Sequence, residues 1–198
     1  MIYIIRHGKT ALNRANVLQG RSDCPLIEEG VCQAEEAGRR LKTVRFEHVF
    51  SSPLSRAVQT AEIVAPGRAI RTDDRLIEMD YGPYEGLDLR RLPPEMKTFF
   101  SDFEHNPAPM GMEQLGDVKI RVAAFLESIR DLQGDILIST HAIAMKAILE
   151  VLTPSAHGAY WSKYIGNCEV YVASHVDGVF GIPEGMAENG EAMQLQES

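Results

Sequence analysis

The stretch Met1-Ile2-Tyr3-Ile4-Ile5 runs directly into Arg6-His7-Gly8, and a second stretch, Ile136-Leu137-Ile138-Ser139-Thr140, ends at His141. Short apolar runs with β-branched residues are typical of buried parallel strands. In open α/β sheets the carboxyl ends of such strands border the ligand crevice. We therefore expect the two histidines to face each other across one site, with Arg6 beside them to bind an anion such as phosphate.

Strand-like and helical segments alternate along the rest of the chain. Hydrophobic periodicity predicts helices over 26–42, 53–65, 118–132 and 142–152, and strands over 48–51, 135–138, 169–173 and 179–182. The second helix is predicted to begin at Pro53, and the last two strands to be joined by a turn at Asp177-Gly178. This order predicts an α/β three-layer sandwich, in which a mostly parallel mixed β-sheet carries helices on both faces. One domain is expected over 1–182, followed by a polar, mobile tail over 183–198.

Composition and charge narrow the class of protein. The chain has 198 residues, 44% of them hydrophobic, which is enough for one α/β domain with a substantial core. No apolar stretch reaches the roughly 18–20 residues needed to cross a bilayer, and no signal peptide is recognised, so we expect a cytoplasmic protein without membrane contact. The net charge of −8 argues against nucleic-acid binding. Residues 1–21 nevertheless carry +4 and the remainder −12, which favours a site for a small anion.

The cysteines and histidines offer no metal-binding pattern. Cys24, Cys32 and Cys168 lack CxxC spacing, and we expect them to be reduced thiols. A metal held by His7 and His141 is a competing interpretation of those histidines. The sequence contains no HxH or HExxH motif and no carboxylate at ligand spacing, so we expect neither a metal nor another cofactor.

An ordered series of motifs from residue 1 to about residue 175 resembles the histidine phosphatase superfamily, also called the phosphoglycerate mutase-like family. The motifs are Arg6-His7-Gly8-Lys9-Thr10 with Asn13, then Leu18-Gln19-Gly20-Arg21-Ser22-Asp23-Cys24-Pro25-Leu26, Ser51-Ser52-Pro53-Leu54-Ser55-Arg56-Ala57 with Gln59-Thr60-Ala61, Glu78-Met79-Asp80-Tyr81-Gly82 with Glu85-Gly86, and Thr140-His141-Ala142. A lone Arg-His-Gly would be a weak signal, whereas the ordered set is specific. The resemblance implies the same three-layer mixed sheet and a catalytic domain of that family over 1–182.

The histidines and arginines suit phosphoryl transfer. A neutral His7 could attack phosphorus and form a phosphohistidine, provided that its other ring nitrogen donates to a nearby backbone carbonyl. Planar guanidiniums match the oxygens of a phosphoryl group, which suits Arg6 and, by the resemblance, Arg56. His141 is expected to complete the pocket as a cationic or hydrogen-bonding partner of the same oxygens.

Glu78 is the expected proton donor and acceptor, because it matches the acid-bearing segment of the family. A leaving alkoxide needs a proton, and the water that attacks a phosphohistidine must lose one. Asp80 and Glu85 lie nearby in sequence, so the choice of Glu78 rests on the resemblance.

A second set of residues matches family positions that line the phosphate pocket, namely Thr10, Asn13, Gln19, Gly20 and Ala142.

Two departures from the family pattern affect the surroundings of the site. Lys9 stands where an acid is common and is expected to make the pocket mouth more positive. The run Gly111-Met112-Glu113-Gln114 is an altered form of a Gly-Gly-Glu-Ser/Thr stretch, which puts substrate recognition by that loop in doubt. Segment 87–116 is predicted to form a lid, with its phenylalanines either contacting substrate or packing in the core.

These observations predict a metal-independent phosphatase that acts on a small phosphomonoester. A mutase of the same family is an alternative, although only about 60 residues separate Glu78 from His141 and mutases tend to carry longer closing segments. A non-catalytic module that binds a phosphorylated ligand or a protein is the other alternative. The expected partner is a small phosphorylated substrate, and neither the identity of that substrate nor an oligomeric state such as a homodimer follows from the sequence.

Overall fold

The computed structural model describes residues 1–186 and the backbone of 192–193. Its strands and helices alternate over most of the chain. In order they are β1 (Ile2–Arg6), α1 (Ala11–Ala15), α2 (Glu28–Arg40), β2 (Phe46–Ser51), α3 (Ser55–Val64), β3 (Ile70–Thr72), α4 (Pro94–Ser101), α5 (Leu115–Ile129), β4 (Asp135–Thr140), α6 (Ala142–Leu152), α7 (Ala159–Ser162), β5 (Val170–Ala173), β6 (His175–Val176), β7 (Val179–Phe180), β8 (Glu184–Met186) and β9 (Ala192–Met193). Short 3₁₀ turns lie at Asp74–Leu76, Gly82–Tyr84 and Pro154–Ala156.

The central sheet has seven strands in the order β3-β2-β4-β1-β5-β8-β9. The pairs β3–β2, β2–β4 and β4–β1 are parallel, and β5, β8 and β9 add antiparallel pairs at one side. Strands β1 and β4 are neighbours, with Arg6 opposite Thr140 in the register. The residues that follow these two strands, His7 and His141, therefore emerge side by side at the same edge of the sheet.

Helices cover both faces of the sheet, as the alternation of elements predicts. On one face, Ile2 and Ile4 of β1 pack in a core that includes residues from α5 and α6, such as Phe125 and Ile148. On the other face, Ile5 packs in a core with Ala34 of α2 and residues of α3. Because successive side chains of a strand point to opposite faces, a strand buried on both sides reads as a continuous apolar run. The predicted fold class is confirmed.

The structure differs from the predicted elements at Pro53 and at the Asp177-Gly178 turn. Helix α3 begins at Ser55 with Leu54 at its N-cap, so Pro53 precedes the helix. The Asp177-Gly178 turn joins β6 to β7 in a separate two-stranded sheet, whereas β5 pairs with β1 and β8. Positive φ angles of 50° and 75° at Asp177 and Gly178 suit a tight hairpin, and such a turn brings together the strands nearest to it.

The sheet also extends past the predicted end of the domain. Strand β8 begins at Glu184, beyond residue 182, and pairs with β5, so part of the predicted tail belongs to the sheet. The prediction of a mobile tail otherwise falls on 187–191 and 194–198, which lie outside the described residues. Within the described part of the chain, no helix is long and apolar enough to cross a membrane.

The phenylalanines of segment 87–116 pack against one another. Phe99 is 1% exposed, and its ring lies 4.9 Å from that of Phe103, which in turn lies 6.0 Å from Trp161. Phe100 lies 6.3 Å from Tyr81, which follows the Glu78 segment. The aromatic cluster therefore joins α4 to the core, and core packing accounts for Phe99.

Candidate active site

His7 follows β1 and is held in one orientation. Its Nδ1 lies 2.7 Å from the carbonyl oxygen of Gly8, and because a carbonyl only accepts, the proton is assigned to Nδ1. Its Nε2 then carries the lone pair and accepts from Arg56 Nε at 3.3 Å. Burial, reinforced by the positive charges of Arg6 and Arg56, lowers the pKa of His7 well below its ordinary value. A neutral imidazole with a backbone carbonyl on its far nitrogen is the geometry that the predicted role of His7 requires.

Gly8 lets helix α2 approach the nucleophile loop closely. A Cβ at Gly8 would lie 2.4 Å from the carbonyl oxygen of Gly30, which is shorter than any tolerated contact. The amide of Gly8 donates to Thr60 Oγ1 at 3.0 Å. Thr60 in turn donates to the carbonyl of Arg56 at 2.7 Å, so one buried hydroxyl joins the His7 loop to helix α3.

His141 lies at the N-cap of α6, next to His7. The two ring centroids are 5.1 Å apart. Its Nε2 lies 2.7 Å from Ser52 Oγ, and its Nδ1 accepts from Arg56 Nε at 3.2 Å. Burial, followed by the charge of Arg56, lowers the pKa of His141 well below its ordinary value. Of the two expected states, the hydrogen-bonding neutral form therefore fits the protein by itself, and the cationic form requires a neighbouring anion.

Arg56 lies between the two histidines and is fully buried. Its Nε reaches both rings, while Nη2 donates to Gly20 O at 2.7 Å and Nη1 to Ser22 O at 2.8 Å. Burial lowers the pKa of Arg56, and the charge of Glu78 opposes that effect. A guanidinium has five N–H groups, so donors remain for an anion.

Arg6 is the second cation of the site, which is a cluster formed by Arg6, His7, Arg56, Glu78 and His141. Its Nη1 donates to the carbonyl of Ile165 at 2.5 Å, which anchors one end of the guanidinium. Its Nε is buried and has no hydrogen-bond partner among the described residues. Buried donors are nearly always satisfied, and the charge of Arg6 acts on both His7 and His141, so its unpaired Nε suits a bound anion.

Glu78 is buried at the N-terminus of α6, the helix that has His141 at its N-cap. Its Oε1 accepts from the amides of Met79 at 2.9 Å and Ala144 at 3.1 Å, and the amide of Ile143 lies 3.2 Å from both carboxylate oxygens. A helix N-terminus favours negative charge. The carboxyl group is thereby held beside His141.

The two acidic neighbours of Glu78 have other partners. Asp80 pairs with Arg21 and accepts from the amide of Gly82. Glu85 accepts from the amides of Arg21 and Ser22. Among these three acids, the hydrogen bonds place only Glu78 at the α6 N-terminus, which supports its choice as the acid.

The second set of predicted residues is only partly joined to this cluster. Gly20 contacts Arg56 through its carbonyl, and Ala142 is the first residue of α6. Thr10 is the N-cap of α1 and forms a capping box with Asn13, and Thr10 Oγ1 also donates to Gln19 at 2.8 Å. Within the described chain, no hydrogen bond joins Thr10 or Gln19 to the five predicted catalytic residues. Their evident role is to fix the loop after His7.

Three contacts of the cluster come from residues that the sequence did not single out. Ser52 orients His141, and Thr60 joins the His7 loop to α3, as described above. Asn167 donates to the carbonyl of His7 at 2.9 Å. Ser52 and Thr60 lie inside a recognised motif, which is a signal that could have found them. Asn167 lies 160 residues from His7 and carries no such signal.

Both departures from the family pattern have structural partners. Lys9 forms an ion pair with Glu29, so its charge is offset and the expected gain in positive charge at the pocket mouth is reduced. In the altered run, Glu113 pairs with Arg121 at 2.8 Å, and Arg121 donates to the carbonyl of Ile77, next to Glu78, at 2.6 Å. Gln114 bonds to the backbone of Ala108. This loop supports the Glu78 segment.

The described residues contain no metal-binding cluster of side chains. Over 1–186, no group of three or more His, Cys, Asp and Glu side chains is arranged to hold a metal ion. The three cysteines are free, and burial raises the pKa of Cys168 to about 12. The charge in the cluster comes from guanidiniums.

Comparisons with known proteins agree on one family. The sequence profile of the histidine phosphatase superfamily (branch 1) matches residues 2–183. The chain is 34% identical over 177 residues to a probable phosphoglycerate mutase GpmB of Yersinia pestis (strain Pestoides F), a match covering 85% of this chain and 82% of the relative.

Two solved structures extend this agreement to the fold. Bacillus stearothermophilus YhfR superposes with a TM-score of 0.77 at 30% identity, over 91% of this chain and 94% of that one. A mycobacterial glucosyl-3-phosphoglycerate phosphatase in complex with VO3 superposes with a TM-score of 0.79 at 25% identity, over 87% and 92% of the two chains.

Proposed function

This chain belongs to the histidine phosphatase superfamily, and we propose that it is a metal-independent phosphatase that hydrolyses a small phosphomonoester through a phosphohistidine. One observation carries the proposal. The unprotonated Nε2 of His7 is held against Arg56, while Nδ1–H is fixed on the carbonyl of Gly8. A ligand-binding module has no need for a nucleophile in this state or for a buried carboxyl group at the neighbouring N-terminus of α6.

In the first step, Nε2 of His7 attacks phosphorus. A P–N bond forms as the bond from phosphorus to the ester oxygen breaks, and Glu78 gives the leaving oxygen its proton. The ring becomes positively charged as Nε2 gains the phosphoryl group. The hydrogen bond from Nδ1–H to Gly8 O strengthens as that charge develops.

In the second step, water attacks the phosphohistidine. The carboxylate of Glu78 accepts a proton from the water while a P–O bond forms and the P–N bond breaks, which restores neutral His7 and releases inorganic phosphate. The proton that Glu78 gives up in the first step is regained from water in the second, so the proton balance of the cycle closes. The amides at the α6 N-terminus hold its carboxylate between the two steps.

Both steps require stabilisation of the charge on the phosphoryl oxygens. Arg56 and Arg6 supply guanidinium donors in a buried setting, where electrostatic interactions are stronger than in water. His141 adds a donor once the phosphate raises its affinity for a proton. Together, Arg56, Arg6 and His141 form a phosphate clamp, which takes the place of a metal ion.

A mutase is the second candidate, because the relative from Yersinia pestis is named as a probable phosphoglycerate mutase. In that reaction the phosphoryl group would return from His7 to a second hydroxyl group instead of to water. The two functions are separated by incubating the protein with 3-phosphoglycerate and with a panel of other phosphomonoesters. Release of inorganic phosphate supports hydrolysis, and isomerisation of 3-phosphoglycerate without release supports the mutase. Phosphate binding without either reaction would support the non-catalytic module.

A further inference from the structure

The loop of residues 20–22 lies between Arg56 and a carboxylate that takes no part in the chemistry described above. We propose that Glu85 is a positioning residue, which sets the guanidinium of Arg56 by holding this loop. The inference rests on the proposed function, since it concerns how the phosphate clamp is built.

Glu85 holds the outer side of the loop. Its carboxylate accepts from the amides of Arg21 at 2.5 Å and Ser22 at 2.9 Å, and from the Ser22 hydroxyl. A Cβ at Gly20 would lie 2.5 Å from Glu85 Oε1, so a glycine at that position permits the approach. Three donors of one short loop thus converge on a single carboxylate.

The position of Glu85 is itself fixed by backbone contacts. The amide of Gly86 donates to Leu18 O at 2.9 Å, and the amide of Leu18 donates to Leu87 O at 2.8 Å. These bonds tie the chain on both sides of the contact, before Gly20 and after Glu85. The carboxylate of Glu85 is therefore held in place and can fix the position of the loop.

The inner side of the loop holds Arg56. The carbonyls of Gly20 and Ser22 accept from Nη2 at 2.7 Å and Nη1 at 2.8 Å. Next to this loop, Asp23 accepts from the amide and the hydroxyl of Ser55, which begins the helix that carries Arg56. Because Arg56 is fully buried, a displaced carbonyl leaves a buried donor unpaired. Loss of Glu85 is therefore expected to displace the guanidinium of Arg56, although the hydrogen bonds of Glu85 go to the loop.

Binding of inorganic phosphate, measured by titration calorimetry, tests this role without requiring turnover. Glu85→Gln keeps one acceptor oxygen and is expected to weaken phosphate binding about tenfold, the effect of one charged hydrogen-bonding group. Ser22→Ala removes only the hydroxyl contact and should weaken binding less, in the same direction. Glu47→Gln is the matched control, because Glu47 accepts from the amide of Asp135 at 2.7 Å, where β4 begins at the far end of the sheet.

The coupling to Arg56 is tested in an Arg56→Lys background. Lysine keeps the charge but cannot reach both carbonyls, so adding Glu85→Gln there should change phosphate affinity by less than about twofold. If Glu85→Gln lowers phosphate affinity by a full tenfold in that background, the two effects are additive and the inference is overturned. Unchanged phosphate affinity in a folded Glu85→Gln protein would also overturn it. If Glu85→Gln lacks the near-UV circular dichroism of the wild type, Ser22→Ala decides in its place. A wild type that binds no phosphate would instead contradict the proposed function.

Turnover separates this role from proton transfer. In Glu85→Gln, the rates for an alkyl phosphate and for p-nitrophenyl phosphate should fall by the same factor, because a misplaced clamp affects both substrates. A selective loss on the alkyl phosphate would make Glu85 an acid and overturn its assignment as a positioning residue.

Discussion

Arg56 Nε lies 3.3 Å from His7 Nε2, so the principal cation of the site donates to the atom that we propose forms the P–N bond. A bound phosphoryl group must take over this contact before His7 can attack. The guanidinium therefore marks the proposed position of the phosphate, and its charge adds to the effects of burial and of Arg6, which lower the pKa of His7.

The shape of the Arg56 guanidinium should matter as much as its charge. We expect Arg56→Lys to lower kcat/KM by about 10²–10³, because one ammonium group cannot replace donors aimed at two histidines and two carbonyls. Steady-state kinetics with p-nitrophenyl phosphate measures this loss. Arg39→Lys is the control, since Arg39 is an exposed partner of Glu36 and should keep wild-type rates. Equal rates in both variants would contradict the clamp.

The two buried histidines should make the protein less stable as the pH falls. Their pKa values are lowered in the folded state, so below about pH 6.5 the unfolded chain binds protons that the folded chain does not. The free energy of unfolding should fall by about 1.4 kcal/mol per pH unit for each histidine, from pH 6.5 down to its folded pKa. Urea titrations over this range measure the slope.

Replacing single histidines tests whether the site causes this pH dependence of stability. His141→Asn should reduce it by the share of one histidine, whereas His157→Asn, at an exposed position, should leave it unchanged. A slope in His141→Asn equal to that of the wild type would assign the pH dependence to other groups.

Activity should survive chelation, because guanidiniums supply the positive charge at the phosphate. After dialysis against EDTA, the rate of phosphate release is expected to remain within about twofold of the untreated rate. Loss of activity that zinc or magnesium restores would contradict this part of the account.

Much of this site could be predicted because its parts follow sequence-local rules. Ile2–Arg6 and Asp135–Thr140 are apolar runs of strand length, and each is followed at once by a histidine. Once the strands are parallel and adjacent, the two histidines must emerge together. The assignment of Arg56 and Glu78 rests instead on the resemblance of their motifs to those of the family.

Other features depend on contacts between distant residues. Asn167 reaches the carbonyl of His7 from a loop before β5, and nothing in its neighbourhood distinguishes it from a surface asparagine. Strand β8 pairs with β5 although Glu184–Met186 is too short and too polar to show a strand pattern. The charge of Lys9 is offset by Glu29 only because α2 packs beside the loop that follows β1.

Proton transfer by Glu78 should depend on the leaving group. Glu78→Gln is expected to slow alkyl phosphates by about 10²–10⁴ and p-nitrophenyl phosphate far less, because nitrophenolate leaves without a proton. Initial rates on both substrates give the ratio, and Glu47→Gln serves as the control at the far end of the sheet. Equal losses on the two substrates would assign Glu78 a role in positioning only.

A rapid quench with a ³²P-labelled phosphomonoester shows whether His7 forms a phosphohistidine. The wild type should retain label that is stable in base and labile in acid, located on the peptide that contains His7. His7→Ala should retain no label and have no measurable turnover, while its circular dichroism matches that of the wild type. Label in the His7→Ala protein, or full turnover by that variant, would contradict the covalent mechanism.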